Sequence, residues 1–136
     1  MDIQLISIDP LTRVVSFKMS TKKVTGIMKL VQMVVLSLMN TPGKDYLDPS
    51  MGGGIPSMVG MNIDPNNMAE VLGEVTRRVK TTSAEVMTAQ IGRVIPSDEK
   101  LKELRLVSVA PGANIGEVAA RIRIINELGQ QAEAVI

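Results

Sequence analysis

The stretch VTGIMKLVQMVVLSL, residues 24–38, decides the fold because its apolar side chains recur with the spacing of one helical face. The apolar positions are Val24, Ile27, Met28, Val31, Val34, Val35 and Leu38. Lys29 and Gln32 fall on the opposite, polar stripe. The pattern predicts an amphipathic helix that packs its apolar face against a core.

Capping and breaking residues mark the ends of this helix. Ser20 and Thr21 can cap its start, and the sequence NTPG at 40–43 stops it, so we predict a helix over residues 21–39. Its apolar run, residues 27–39, is thirteen residues long, whereas a bilayer span needs about twenty. We expect a core helix and no membrane contact.

The flanking segments predict a hairpin and a loop. Residues 1–19 hold two short apolar stretches separated by Asp9 and Pro10, which is typical of a β-hairpin. Residues 40–63 contain three prolines and the glycine run 52–54, and they predict a long central loop. Loops of this length in compact domains are often functional.

A second helical region is predicted over residues 64–95. Asp64 followed by Pro65 is typical of a helix start. The apolar stripe that follows is Met68, Val71, Leu72, Val75 and Val79. Thr82 with Glu85 resembles a capping box that starts another helix, and one continuous bent helix fits equally well.

The remaining residues, 100–136, predict strands. Within residues 118–125, Arg121 and Arg123 alternate with Ile122 and Ile124, which indicates a strand with one wet and one dry face. We therefore predict a single α+β domain over residues 1–136. It has two to three helices packed on a small antiparallel β-sheet, a C-terminal β-hairpin and the long central loop.

The composition excludes several classes of chemistry. The chain has no cysteine and no histidine, so disulfides, thiolate metal sites and the commonest general base are missing. Fifteen Lys and Arg nearly balance fourteen Asp and Glu, and there are only two aromatic residues, so no nucleic-acid footprint is visible. Residues 1–4 lack the basic start of a signal peptide. We expect a cytoplasmically made chain without cofactor, metal or nucleic-acid partner.

Carboxylates are the remaining candidates for catalysis, since paired acids hydrolyse glycosides without histidine. The acids considered are Asp45, Asp48, Asp98, Glu99 and Glu103. A general acid needs an apolar pocket that raises its pKa, and the sequence shows no such setting. We expect no catalytic residue and no enzyme.

Two features suggest contact with other proteins. Met51 lies in the loop, where an apolar side chain must find cover, and another subunit can supply it. Glu103 and Arg105 flank Leu104 and point to one face of a strand. That face is either simply solvated or a docking surface.

The order of these segments resembles a known family. The helix runs into LSLMNTPGK at 36–44 and DPSMG at 48–52, and two helical stretches and a terminal hairpin follow. Over residues 20–130 the chain is similar to the small baseplate wedge proteins of contractile phage tails, the family that includes the wedge subunit of the type VI secretion baseplate. Met51 stands where that family has an aromatic residue.

The resemblance implies a docking site. The family carries the signature Glu-Pro-Arg at the first strand of its terminal hairpin, and here the matching residues are Glu103, Leu104 and Arg105, with leucine in place of proline. The motif is associated with docking onto the larger wedge subunits, which implies charge-assisted hydrogen bonds to a partner. The implied loop contacts are Pro49, Met51 and Gly52.

The resemblance also implies a contact with the tail sheath, by strand addition at an open sheet edge. The implied residues are Val118, Ala120, Ile122, Ile124, Val135 and Ile136. The expected role is a virion subunit, assembled in the host cytoplasm and present in several copies around the tail axis, which templates the first sheath ring. The alternatives are a self-assembling tail or head completion protein without sheath contact and a carboxylate-dependent cell-wall hydrolase.

Overall fold

The computed structural model describes residues 2–39, 68–111 and 118–136. The elements within these ranges are β1 (Asp2–Ile3), β2 (Ile6–Ile8), β3 (Val15–Phe17), β4 (Lys23–Val24), α1 (Gly26–Met39), α2 (Met68–Gln90), β5 (Leu101–Pro111), β6 (Val118–Asn126) and β7 (Gln131–Val135). A 3-10 turn, Ser97–Glu99, precedes β5. Two helices combined with small antiparallel sheets confirm the predicted α+β fold. The predicted loop, residues 40–63, lies outside the described residues.

The largest sheet has three strands in the order β5-β6-β7, all antiparallel. Leu104 lies opposite Ile124 across the first ladder, and Arg123 lies opposite Glu133 across the second. The β5–β6 ladder has two register irregularities, the second between Leu106 and Ser108. The central strand is therefore β6, and β5 and β7 form the two edges.

Both helices cover the same face of this sheet. Helix α2 packs on β5, and α1 packs on α2, β6 and β7. The larger fully buried side chains include Leu30, Val34 and Leu38 of α1, Val71 and Val75 of α2, and Ile122 and Ile124 of β6. The apolar faces of the helices and of β6 thus pack together in one core. Burial of apolar surface there stabilises the fold by about 25 cal/mol per Å².

Helix α1 begins at Gly26, so the predicted start at residue 21 is wrong. Lys23 and Val24 instead form β4, which pairs with β1. Gly26 has a φ of 63°, a left-handed conformation that other residues adopt only with strain. The hydroxyl of Ser20 accepts a hydrogen bond from the Lys22 amide at 3.2 Å and does not cap the helix. A long-range strand pairing therefore overrides the local capping pattern.

Helix α2 is continuous from Met68 to Gln90, which decides between the two alternatives for this region. Thr82 is fully buried in the middle of the helix and does not cap a new one. Glu74 accepts hydrogen bonds from Arg77 and Arg78, and these bonds lower its pKa to about 2. Such i,i+3 and i,i+4 pairs support the exposed side of a long helix.

The N-terminal strands form the predicted hairpin. Strand β2 pairs antiparallel with β3, and Ile6 is buried in the core. Asp9 accepts hydrogen bonds on Oδ1 from the amides of Leu11 at 2.8 Å and Thr12 at 2.9 Å, which fixes the turn. The buried carboxamide of Gln32 ties this hairpin region to α1, because it accepts from the Leu5 amide and donates to the Ile3 carbonyl.

Candidate partner-binding surfaces

Glu103 and Arg105 form an exposed ion pair on the face of β5 that points away from the helices. The guanidinium donates from Nε to Oε1 of Glu103 at 2.8 Å and from Nη2 to Oε2 at 2.9 Å. The side chains are 42% and 56% exposed. These hydrogen bonds hold the pKa of Glu103 below its ordinary value and raise that of Arg105. Both predicted docking residues thus remain charged and accessible, in a planar fork geometry that suits carboxylate and amide partners.

The same face continues across the sheet as a charged surface. Glu133 on β7 accepts hydrogen bonds from Arg123 at 2.8 Å and from Arg121 at 3.2 Å, and these bonds lower its pKa. Arg105 lies opposite Arg123 in the register, and Arg121 lies opposite Ser108 further along the same ladder. The three arginines and two glutamates leave this face with one net positive charge.

The backbone pairing decides which strand edges are open. Ala120 and Ile136 exchange both backbone hydrogen bonds, at 2.8 and 3.0 Å. In an antiparallel ladder such pairs recur at every second residue, so the even-numbered residues of β6 bond to β7 and the odd-numbered ones to β5. On β5, Arg105 therefore bonds to β6, while the N–H and C=O groups of Leu104 and Leu106 point away from the sheet. Among the described residues, none bonds to these outward groups.

The predicted strand-addition site on β6 is wrong. Strand β6 is paired on both sides, so its backbone offers no edge to an incoming strand. Ala120, Ile122 and Ile124 are fully buried against the helices, and Val118 is partly buried. The alternation correctly identified a dry face, but a dry face says nothing about whether a strand is central or at an edge.

The two predicted residues at the C-terminus are also engaged within the chain. Ile136 pairs with Ala120, and the Val135 amide donates to the Arg13 carbonyl at 2.8 Å. Val14 forms a parallel bridge with Val135. The outer edge of β7 is consequently covered at this end by the tip of the N-terminal hairpin. The longest open edge in the described chain is that of β5.

Polar side chains fix the connection that leads into β5. Gln90 donates to the Glu99 carbonyl at 2.9 Å and accepts from the Leu101 amide at 2.8 Å. The Glu99 carboxylate pairs with Lys29 at 3.1 Å and accepts from the Gly26 amide at 3.3 Å. Two open hollows of about 270 and 450 Å³ flank this connection. Glu99 is thus a structural acid that holds the start of α1 beside the start of β5.

The comparisons with known proteins found no match to this chain. No protein-family model matches the chain, and no match was found among curated proteins or solved structures. In the described ranges, no three acidic, histidine or cysteine side chains come together in a group that could hold a metal ion. None of the helices described combines the length and apolar character needed to cross a membrane.

The remaining sequence predictions fall in undescribed parts of the chain. The loop contacts Pro49, Met51 and Gly52 and the acids Asp45 and Asp48 lie outside the described residues. The bridge between Val135 and the hairpin tip is a site feature that sequence reasoning missed. Its only local signal is the Asp9 turn, which predicts a tip but not the strand that the tip touches.

Proposed function

We propose that this chain is a structural subunit of a contractile-tail baseplate wedge. It docks on the larger wedge subunits through Glu103 and Arg105, and it templates the first sheath ring by accepting a sheath strand. The observation that carries the proposal is the open outer edge of β5, beside an exposed bidentate ion pair. In this function the chain is not an enzyme, and it is present in several copies in the tail baseplate.

The docking part of the proposal is supported by the exposure of the ion pair. Exposed ion pairs typically stabilise a fold by only about 0–1 kcal/mol, so Glu103 and Arg105 contribute little to the domain itself. Both carboxylate oxygens and the guanidinium keep hydrogen-bonding capacity that a partner can use. Charge-assisted hydrogen bonds of this kind become stronger when an interface excludes water.

The strand-sharing part of the proposal is supported by the residue at position 104. Leu104 replaces the proline of the family signature, and its amide points outward on the open edge. Proline has no N–H group and is tolerated at such a position only because nothing on the same chain needs the donor. Leucine keeps the donor, so an incoming strand gains one more backbone hydrogen bond at this point.

The implied loop contacts stay part of the proposal. Pro49, Met51 and Gly52 follow α1 in the chain, and we assign them contacts with the wedge subunits on the resemblance alone. Of the acids weighed as catalytic, Glu99 and Glu103 do not favour a hydrolase. The pKa of Glu103 is lowered and not raised, and Glu99 is held by Lys29 and Gly26.

The docking contact is tested by reversing or exchanging the charges at positions 103 and 105. Phage lacking the chain are complemented with Arg105→Glu or with the swapped double variant Glu103→Arg and Arg105→Glu. The swap keeps an ion pair on β5 but inverts the order of charges that a partner meets. We expect both variants to fold and neither to enter baseplates. Baseplate incorporation of both variants at the wild-type level would contradict the docking assignment.

The sheath contact is tested by removing the outward amide on β5. Leu106→Pro deletes an outward donor, at a position outside the family signature, without touching the ladder to β6. We expect baseplates to form while sheath initiation falls, which electron microscopy of tail particles measures by counting sheathed tails. Normal baseplates with full sheath in this variant would overturn strand addition at β5, and tails that never contain the chain would overturn the proposed function as a whole. A cell-wall clearing assay on the purified chain tests the hydrolase alternative.

A further inference from the structure

The outer edge of β7 already carries an extended segment from the same chain. The Arg13 carbonyl accepts the outward amide of Val135 at 2.8 Å, and Val14 lies beside Val135 in a parallel bridge. This edge is therefore able to pair with extended backbone. Among the described residues, such cover is found at its end near Val135 alone.

The covering segment is held in a strained turn. Asp9 binds the amides of Leu11 and Thr12 through its carboxylate, and its carbonyl accepts the Arg13 amide at 2.9 Å. Arg13 itself has a φ of 61°, in the left-handed region that residues with a Cβ adopt at an energetic cost. Such strain persists only where the surroundings fix the conformation. The turn and the bridge to Val135 supply that fixation.

The rest of the edge has unused hydrogen-bonding groups. By the alternation of the ladder, the N–H and C=O groups of Gln131 and Glu133 point outward as those of Val135 do. Within the described residues, the N–H and C=O groups of Gln131 and Glu133 have no backbone partner on the outer side of β7. An edge that is half covered in this way invites pairing with another strand once the cover moves.

We propose that the outer edge of β7 is a second strand-pairing surface, which the hairpin tip Asp9–Val14 keeps closed in a single copy. Its partner, once the tip is displaced, is the same edge of a second copy of this chain. The two sheets then join into one sheet of six strands across a twofold axis. This pairing is independent of the proposed tail function.

The charges of β7 favour one register for a second copy. With the twofold axis at Ala132, Gln131 of one copy lies opposite Glu133 of the other, and both residues have outward backbone groups. Moving the axis to Glu133 places two carboxylates directly opposite each other, which is unfavourable. The small side chain of Ala132 allows close approach at the axis. Of these two registers, the charges favour the one centred on Ala132, and we adopt it for the pairing.

Two substitutions at the same position test the closure by the tip. Proline at position 13 cannot adopt a positive φ and loses the amide that Asp9 binds, so Arg13→Pro opens the tip. Arg13→Gly accepts the same φ without strain and keeps the tip closed. Sedimentation equilibrium of the full chain should show dimer affinity at least about tenfold higher for Arg13→Pro than for wild type. Arg13→Gly should remain at or below the wild-type level.

Two further variants in the Arg13→Pro background locate the contact. Gln131→Pro removes an outward amide at the first residue of the strand, where proline is tolerated, and should return association to the wild-type level. Ala132→Cys introduces the chain's only cysteine, and it should form an intermolecular disulfide because residues at the axis of a non-hydrogen-bonded pair lie close together. Both variants leave the turn at Asp9 untouched.

The outcomes are decisive in each case. Tighter association that Gln131→Pro reverses, with a disulfide at position 132, supports the proposal. A chain that stays monomeric with the tip opened overturns it, and so does a dimer that forms no disulfide at 132 and ignores Gln131→Pro. Because Arg13→Pro can disturb the whole hairpin, Asp9→Ala is measured in parallel. It weakens the turn through its side chain alone, and it should raise association in the same direction.

Discussion

The two edges of the three-stranded sheet are protected in different ways. Strand β5 has eleven residues, an ion pair on its outer face and two breaks in its register with β6. Strand β7 has five residues and is closed at one end by the tip of the hairpin. Open edges are a liability in a single chain, and charges, bulges and covering segments are the usual protections. Among the described residues, the longer edge thus stays open, while the shorter one is covered at one end by the chain itself.

The largest expected effect comes from a substitution in β6, the central strand with which both edge strands pair. Ile122→Ala leaves a cavity under α1 and should lower the free energy of unfolding by roughly 2–5 kcal/mol. Ile125→Ala, on the same strand but facing the charged side, should cost only about 1 kcal/mol. Urea unfolding followed by circular dichroism measures both. Equal losses would mean that the two faces of β6 are not buried as described.

A smaller effect on stability should distinguish the β5 amides that bond to β6 from those that point away from the sheet. Arg105→Pro removes an amide that bonds to β6 and should cost roughly 3 kcal/mol. Leu104→Pro removes an outward amide, so its cost of about 1–2 kcal/mol arises from reduced side-chain burial alone. Thermal unfolding of the two variants in parallel gives the comparison. A Leu104→Pro variant that is less stable than Arg105→Pro would reverse the assigned ladder.

Amide exchange sharpens the contrast between the edges without any substitution. The amides of Arg105 and Val135 have backbone partners, whereas those of Leu106 and Glu133 point outward. In the free chain we expect exchange of the first two to be at least about tenfold slower than that of the last two. Two-dimensional NMR after transfer to deuterated water resolves each amide. Slow exchange at Leu106 in the free chain would show that the β5 edge is already covered.

The smallest expected effect is a loss of stability at low pH. The pKa values of Glu103 and Glu133 are both held below the ordinary 4.5 by arginine hydrogen bonds. Each carboxylate therefore contributes stability above that ordinary value, and the contribution is lost as the pH falls through the lowered pKa. Glu133→Gln should be slightly less stable than wild type at pH 6, and the difference should shrink as the pH falls below 4.5. Urea midpoints across this range test the sign, and parallel curves would contradict it.

Much of the fold follows from local patterns, because each pattern has its own physical cause. The stripe through Val31, Val34 and Leu38 predicts a buried helical face, and the alternation around Ile122 predicts a strand with one dry face. The position of β6 between two neighbours could not be predicted, since periodicity defines faces and not pairing order. The capping pattern predicts too early a start for α1, because the pairing of β4 with β1 joins residues 20 and 22 positions apart, which local sequence does not reveal.

The candidate sites followed the same division. The exposed pair at Glu103 and Arg105 could be anticipated, since two charged residues at alternate positions share a face. The engagement of Val135 by Arg13 could not, because a backbone contact leaves no mark on side-chain chemistry. The outward amide of Leu104 required both the register of β5 and the comparison with a proline at that position.

The carboxylate of Glu99 ties α1 to the chain before β5 through two contacts, fewer than those that join β5 to β6. It lies two residues before β5 and holds the start of α1 through one ion pair with Lys29 and one hydrogen bond from Gly26. The ladder between β5 and β6, in contrast, shares load over a whole strand. Because two side-chain contacts are weaker together than a ladder of backbone hydrogen bonds, we expect a pull along β5 to break this tether before the sheet. The start of α1 should then separate from residues 97–99 while the strands stay joined.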